Sequence, residues 1–285
     1  MEPHFERVTI IGAGLLGASL GLALKARGLA DYIVGVGRRP ASLDAALRVG
    51  AVDSVSMDAR AAAEGADLIV ICTPAALVER QLDEVRPVCS AQAVVTDVAS
   101  TKQAVCGHAA RTWPSPRRFV GSHPMAGSEK FGPEHGRADL YENSVCLVES
   151  GAGLDEEARQ RVAALWTAVG ATVFEIDPAR HDALLARTSH IPHVLAAGIA
   201  TLAARHGDVR RMIGQGYRDM TRIAASRPEV WRDICLTNRN AMLDGIREFQ
   251  EYLAAFARAI EEGDAGALDA LFSEANRARR ATVDE

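Results

Sequence analysis

Two kinds of hydrophobic pattern divide the chain. Up to about residue 177, short β-branched runs alternate with longer stretches in which apolar residues recur every three or four positions, the pattern of strands interleaved with helices. Residues 8–11, 32–37, 66–72, 93–98 and 119–121 read as strands, and 145–148 and 172–176 continue the series around a helix over 154–169. Further helices are expected from 15 to 27, 42 to 49 and 58 to 64. The strands are almost continuously apolar, as in a parallel sheet covered on both faces. This predicts an α/β fold, a Rossmann-type doubly wound sheet that runs to about residue 177.

Beyond Asp177-Pro178 the strand pattern stops. Helices are predicted over 179–205, 210–214, 218–225, 228–261 and 265–279, so that residues 1–177 form a dinucleotide-binding domain and 178–285 an all-helical substrate and dimerisation domain. The apolar face carrying Ile191, Val194, Leu195, Ile199 and Leu202 is more than so small a helical domain can bury alone, which points to a homodimer through these helices. Pro192 inside a helical pattern implies a kink beside His190 and His193.

Composition narrows the partners. With 48% hydrophobic and 24% charged residues and a net charge of -5, the chain has the make-up of a soluble globular protein. No basic stripe favours nucleic acid or an anionic membrane, so a small molecule is the expected ligand. No apolar run approaches the roughly 20 residues of a membrane span, and no secretion signal opens the chain, so the cytoplasm is the expected location. The 5 cysteines lack Cys-x-x-Cys spacing, and neither a disulfide framework nor a metal site is indicated.

The chemistry starts at Gly12-Ala13-Gly14-Leu15-Leu16-Gly17, a GxGxxG turn between the first strand and its helix. In that context the first glycine makes the tight turn, the second admits a pyrophosphate and the third lets helix pack on strand. Gly12, Gly14, Leu15, Leu16 and Gly17 are therefore candidate cofactor residues. Where an NAD enzyme usually ends its second strand with a carboxylate, Gly37 stands here, followed by Arg38 and Arg39. Those cations suit a 2′-phosphate, so NADP is favoured over NAD, although both arginines could simply be solvated. Thr73 and Pro74 end the next strand and should border the cofactor. Ser100 or Thr101 could cap the following helix or, for Ser100, meet a ligand. The stretch 121–132 reads as a Pro- and Gly-bracketed loop presenting His123, Glu129 and Lys130.

Five segments taken in order resemble the prephenate/arogenate (cyclohexadienyl) dehydrogenases of tyrosine biosynthesis. They are the fingerprint at 12–17, Asp97-Val98-Ala99-Ser100-Thr101-Lys102, His123-Pro124-Met125-Ala126-Gly127-Ser128-Glu129, the segment 189–193, and the stretch from Arg218 to Trp231. The resemblance implies oxidation of a cyclohexadienyl alcohol by hydride transfer to NAD(P), with loss of carbon dioxide and formation of a phenol. It implies His123 as the group that takes the hydroxyl proton and Ser100 as its orienting neighbour. It also implies Arg222 on a substrate carboxylate, and Glu129, His193, Trp231 and Arg218 around the pocket. Ala99 and Thr101 depart mildly from the family's Gly and Val. Other readings are a two-domain 3-hydroxyacid dehydrogenase or imine reductase, or a nucleotide-sensing module without catalysis. The first would want a helix-borne lysine where 189–193 offers histidines, and the last leaves His123, Ser100 and Arg222 without a reason to occur together.

Overall fold

The computed structural model describes residues 3–128 and 130–283. The chain packs as two compact units, Met1–Arg239 and Asn240–Glu285. In the first unit β1 (Phe5–Ile11), α1 (Leu15–Ala26), β2 (Ala30–Val36), α2 (Pro40–Arg48), β3 (Ser54–Ser56) and α3 (Ala59–Ala63) build one half of a parallel sheet. The other half follows as β4 (Leu68–Ile71), α4 (Ala75–Val85), β5 (Val94–Asp97), α5 (Gln103–Thr112) and β6 (Phe119–Val120). The strand order is β3-β2-β1-β4-β5-β6, every pair parallel. The order reverses between β1 and β4, and ligands of such sheets bind at the carboxyl ends of the strands beside that switch.

Alternation along the strands gives two apolar layers, because successive side chains point to opposite faces. Val8 and Ile10 of β1 pack with Leu20 and Leu24 of α1 on one face, whereas Ile11, Ile69 and Ile71 pack with Val78, Leu82 and Val85 of α4 on the other. Burial on both faces explains why the strands read as unbroken apolar runs.

The sheet does not run to residue 177. β7 (Ser122–Pro124), β8 (Val145–Glu149) and β9 (Thr172–Ile176), with α6 (Glu156–Ala168) between the last two, form a separate three-stranded sheet in which β7 and β8 are antiparallel. The chain leaves the first sheet after Val120 and enters the second at Ser122. His123 therefore sits in a strand, paired with Leu147, rather than in a loop. A periodicity that is the same for both sheets carries no sign of this change. β3 escapes the pattern as well, being only 3 residues of half-buried Ser-Val-Ser.

In the helical part, α7 (Pro178–Leu185) passes through a π-helical turn, Ala186–His190, into α8 (Ile191–Ala204). The widened turn accommodates Pro192, which has no N–H to donate and whose ring would crowd an ordinary preceding turn. The segment 210–214, expected to be helical, is a turn. α9 (Gln215–Thr221) gives way to a 3₁₀ turn, Arg222–Ala225, so Arg218 and Arg222 do not share one continuous α-helix. α10 (Pro228–Thr237) ends at Asn238, where a single helix to 261 was expected. Asn238 is buried and spends its amide on other elements. α11 (Arg239–Glu262) follows. α7 packs against α5, and α10 against α4.

The second unit holds most of α11 and all of α12 (Ala265–Val283), tied together by ring contacts of Phe256 with Tyr252 and Phe272. No residue of α12 is buried, and Phe272 is 65% exposed. Among the described residues no helix is long and apolar enough to cross a membrane.

Candidate active site

The glycine turn closes the carboxyl end of β1. Gly12 has φ +100°, and a Cβ there would lie 2.7 Å from the Cys72 carbonyl oxygen, so no other residue fits without displacing β4. A Cβ on Gly17 would stand 2.4 Å from the Gly12 oxygen, which shows how closely α1 approaches the turn. At Gly14 a Cβ would meet nothing within 4 Å. The open space therefore lies where a pyrophosphate needs it. α1 starts after Gly14 without a side-chain cap, leaving first-turn N–H groups and the positive end of the helix dipole for an anion. These residues fit a dinucleotide. Leu15 and Leu16 are half-buried, Leu16 packing on the core while its carbonyl accepts the Tyr141 hydroxyl. Thr73 donates to Gln81 Oε1 and sets its methyl group against Gly12, and exposed Pro74 starts α4. Beyond β2, Gly37 is half-buried and Arg38 and Arg39 are exposed.

The switch between the sheets is held by two buried ion pairs. Asp97, fully buried at the end of β5, pairs with buried Lys102 and accepts the N–H groups of Ala99 and Ser122. Glu149 pairs with Arg117 at 2.6 Å and accepts the Gly121 N–H at 2.9 Å. Two carboxylates thus grip consecutive backbone N–H groups immediately before His123. Burial is the larger effect on Asp97 and raises its pKa, while Lys102 opposes the shift.

His123 is 8% exposed. Its Nδ1 lies 3.0 Å from Nε2 of His181, and His181 Nδ1 lies 2.7 Å from Oδ1 of Asp182. Both partners come from α7 and are buried. Nε2 of His123 makes no hydrogen bond among the described residues, yet it is not sealed from solvent. Burial, with His181, Lys102 and His190 nearby, holds the His123 pKa well below the usual histidine value. The imidazole is neutral at pH 7 and can accept a proton.

Asp182 does more than meet His181. Its oxygens accept the N–H groups of Lys102 at 2.7 Å and Gln103 at 3.0 Å, capping α5 from another element. The capping role open to Ser100 or Thr101 is thus taken by Asp182. The Thr101 hydroxyl bonds instead to Thr237, and the half-buried Ser100 hydroxyl has no partner among the described residues, which leaves it for a ligand.

A second wall comes from α8 to α10. His193 stacks on Trp231 with ring centroids 3.5 Å apart, and its Nδ1 donates to the Ser189 carbonyl, leaving Nε2 as an acceptor. Burial, with the positive Arg222 nearby, lowers the His193 pKa. Both rings border a cavity of about 290 Å³ with Val194, Ile223, Pro228 and Cys235. Arg222 and Arg218 are exposed and form no ion pair among the described residues. Glu129 lies outside the described residues. His190 is buried edge-on to Trp231, and Asn238 links its Nδ1 to the Asp182 carbonyl.

His181, Asp182 and Asn238 are absent from the sequence-level candidates. In sequence a helix-borne His-Asp pair is indistinguishable from solvated side chains. Only the packing of α7 on α5 brings it behind His123.

A parallel sheet in this strand order, with an open glycine turn at its switch point and a neutral histidine on a strand tied to the carboxyl end of β5, defines a dinucleotide-dependent oxidoreductase fold. The sequence matches the families described as prephenate dehydrogenase, nucleotide-binding domain, over residues 20–175, and prephenate dehydrogenase, dimerization domain, over residues 177–274. The chain belongs to the prephenate dehydrogenase family. It is 32% identical to the prephenate dehydrogenase of Bacillus subtilis, covering 96% of this chain and 76% of that one. It is 30% identical to the cyclohexadienyl dehydrogenase of Zymomonas mobilis, over 97% of this chain and 96% of that one. The crystal structure of prephenate dehydrogenase from A. aeolicus in complex with hydroxyphenyl propionate and NAD+ superposes with a TM-score of 0.88 at 26% identity, covering 97% of this chain and 98% of that one.

Proposed function

We propose that this protein oxidises and decarboxylates prephenate, arogenate or both, passing a hydride to NAD(P), to give 4-hydroxyphenylpyruvate or tyrosine. The observation that carries the reading is buried, neutral His123, whose Nε2 has no partner among the described residues, on the strand that Ser122 ties to Asp97 at the carboxyl end of β5. The ring hydroxyl gives its proton to that nitrogen while the C–H bond on the same carbon breaks. When bound, the nicotinamide supplies the acceptor for the hydride. The C–O bond becomes a carbonyl, and the electron pair of the bond to the carboxylate then moves through the ring onto that oxygen, which takes the proton back from Nε2 of His123 to form the phenol. Gain of aromaticity drives the loss of carbon dioxide.

In this reading Ser100, whose hydroxyl has no partner among the described residues, orients the reacting hydroxyl and His123. Arg222 binds a substrate carboxylate, for which the guanidinium fork is the geometric match. Arg218 adds positive charge, His193 and Trp231 line the pocket, and Glu129 borders it. Gly12, Gly14, Leu15, Leu16, Gly17, Thr73 and Pro74 hold the dinucleotide. Gly37 with exposed Arg38 and Arg39 favours NADP, the cations meeting the 2′-phosphate. The change from strands to helices at Asp177 supports a nucleotide domain at 1–177 and a substrate and dimerisation domain at 178–285. A homodimer would cover the apolar residues left open on α8, where Leu202 is 58% exposed, and on α11 and α12. The cytoplasm is the proposed location, and neither nucleic acid nor membrane is a proposed partner.

Steady-state rates with prephenate and arogenate, each against NAD and NADP, test the reading. His123→Asn should lower kcat by about 10² to 10⁴, the usual cost of losing a general base; turnover within a few-fold of wild type would refute it. Arg38→Ala with Arg39→Ala should reduce kcat/KM for NADP but not NAD, and an equal effect on both removes the phosphate argument.

A further inference from the structure

An imidazole at position 123 serves as a base only if the nitrogen facing the substrate carries the lone pair. Nothing in the imidazole itself ensures this, since either nitrogen can hold the single proton of the neutral ring. We propose that His181 and Asp182 are positioning residues that place the proton of His123 on Nδ1 and so make Nε2 the base. The proposal rests on the reading of His123 as the proton acceptor.

The hydrogen-bond directions follow from one end. Asp182 Oδ1 faces two donors, the Lys102 N–H and His181 Nδ1, and Oδ2 faces a third, the Gln103 N–H. Backbone N–H groups cannot reverse, so the carboxylate is an acceptor locked at the first turn of α5, where the helix dipole also favours negative charge. His181 Nδ1 must then carry its proton toward Asp182. In neutral His181 the remaining Nε2 can only accept, so His123 Nδ1 donates across the 3.0 Å contact. The lone pair is left on His123 Nε2, the one nitrogen of the series without a partner among the described residues.

The arrangement also serves the charge that develops. When Nε2 takes the substrate proton, the imidazolium gives its Nδ1–H to His181, whose far side rests on Asp182. The negative end of the relay is therefore two bonds away from the reacting proton and shielded from water, with His181 0% and Asp182 1% exposed. The other titratable or charged groups around His123 are Lys102 from the β5–α5 connection, His190 from the π turn, and Cys146 on the paired strand β8. None of these makes a hydrogen bond to the ring.

The relay further ties catalysis to the seating of α7. The same carboxylate that orients the base caps α5, and the Asp182 carbonyl accepts the Asn238 amide. A displaced α7 would release the tautomer of His123 along with the cap.

Nitrogen NMR of ring-labelled histidine tests the proposal directly in the full-length protein. Wild type should show His123 protonated at Nδ1 and bare at Nε2. His181→Phe keeps a ring of similar shape and leaves the bonds of Asp182 to α5 in place; it should release His123 toward the Nε2–H form. That variant should lose about 10²-fold or more in kcat with KM within about threefold. Its acid limb should also shift, because His123 loses the polar neighbour that its Nδ1 faces at 3.0 Å. A merely structural effect would lower the melting temperature or active fraction without moving that limb. An Nε2–H tautomer in wild type, or a His181→Phe enzyme with unchanged kcat and pH profile, overturns the relay. His123→Asn separates this from the broader reading: if that variant keeps its turnover, the assignment of the base fails and the relay falls with it. If it loses turnover while His181→Phe does not, only the relay fails.

Discussion

Glu149→Gln removes one charge from the switch between the sheets while leaving an oxygen to accept the Gly121 N–H. In the native chain Glu149 is 4% and Arg117 5% exposed, with 2.6 Å between Nη2 and Oε1. At an effective dielectric of about 20, a pair at such a separation attracts by roughly 4 kcal/mol or more. Desolvation of both ions offsets much of that, so the pair's net effect is small. The asymmetry is what matters: the variant leaves a guanidinium buried without a counter-charge, at a cost of about 3–5 kcal/mol. Against a total stability of about 5–15 kcal/mol this is a large fraction. At about 2–4 °C per kcal/mol for a unit of this size, the melting temperature should fall by roughly 6–20 °C. Urea unfolding at pH 7 measures the loss, with an unchanged m-value showing that the unfolded state is the same. Arg117→Met combined with Glu149→Gln should recover much of it, because no buried charge remains. A loss below about 1 kcal/mol for the single variant, or a double variant less stable than Glu149→Gln, would refute the reasoning.

Gly12→Ala should destabilise the fold by about 2–4 kcal/mol, combining the left-handed φ of +100° with the collision against the Cys72 carbonyl. Gly14→Ala, whose methyl group meets open space, should leave the melting temperature nearly unchanged and raise KM for the dinucleotide; the opposite ranking in thermal melts would contradict the assignment of the turn. Burial pushes the His190 pKa down to about 4, below the ordinary 6.5 of the unfolded chain, so the unfolded state binds more protons between those values. Stability should therefore fall as pH drops from about 6.5 toward 4, and His190→Phe should flatten that decline in urea titrations; an unaltered slope removes His190 from the explanation. Arg222→Ala should raise KM for the carboxylate substrate by roughly 10- to 100-fold, the cost of a charge-assisted hydrogen bond, and an unchanged KM excludes the contact.

The sequence by itself determined the elements and the nucleotide turn. Strands buried on both faces must be apolar throughout, helices packed on them must show their period, and Gly12 and Gly17 must lack side chains because a Cβ at either would collide with a backbone carbonyl oxygen. These are local demands, legible one residue at a time. His123 was legible too, from its place after a strand and its resemblance to family motifs, although its immediate geometry was not. The tertiary structure moved it from loop to strand, because whether Ser122–Pro124 pairs with β6's sheet or with β8 depends on partners more than twenty residues away. The same holds for the series from His123 through His181 to Asp182. Burial and hydrogen-bond direction decide which nitrogen of an imidazole carries a lone pair, and these arise only when α7 meets α5. Ser100 shows the converse: its sequence allowed a cap or a ligand contact, and Asp182, 82 positions away, settled the cap. What belongs to one segment could be read along the chain, while what depends on two segments meeting was left to the fold.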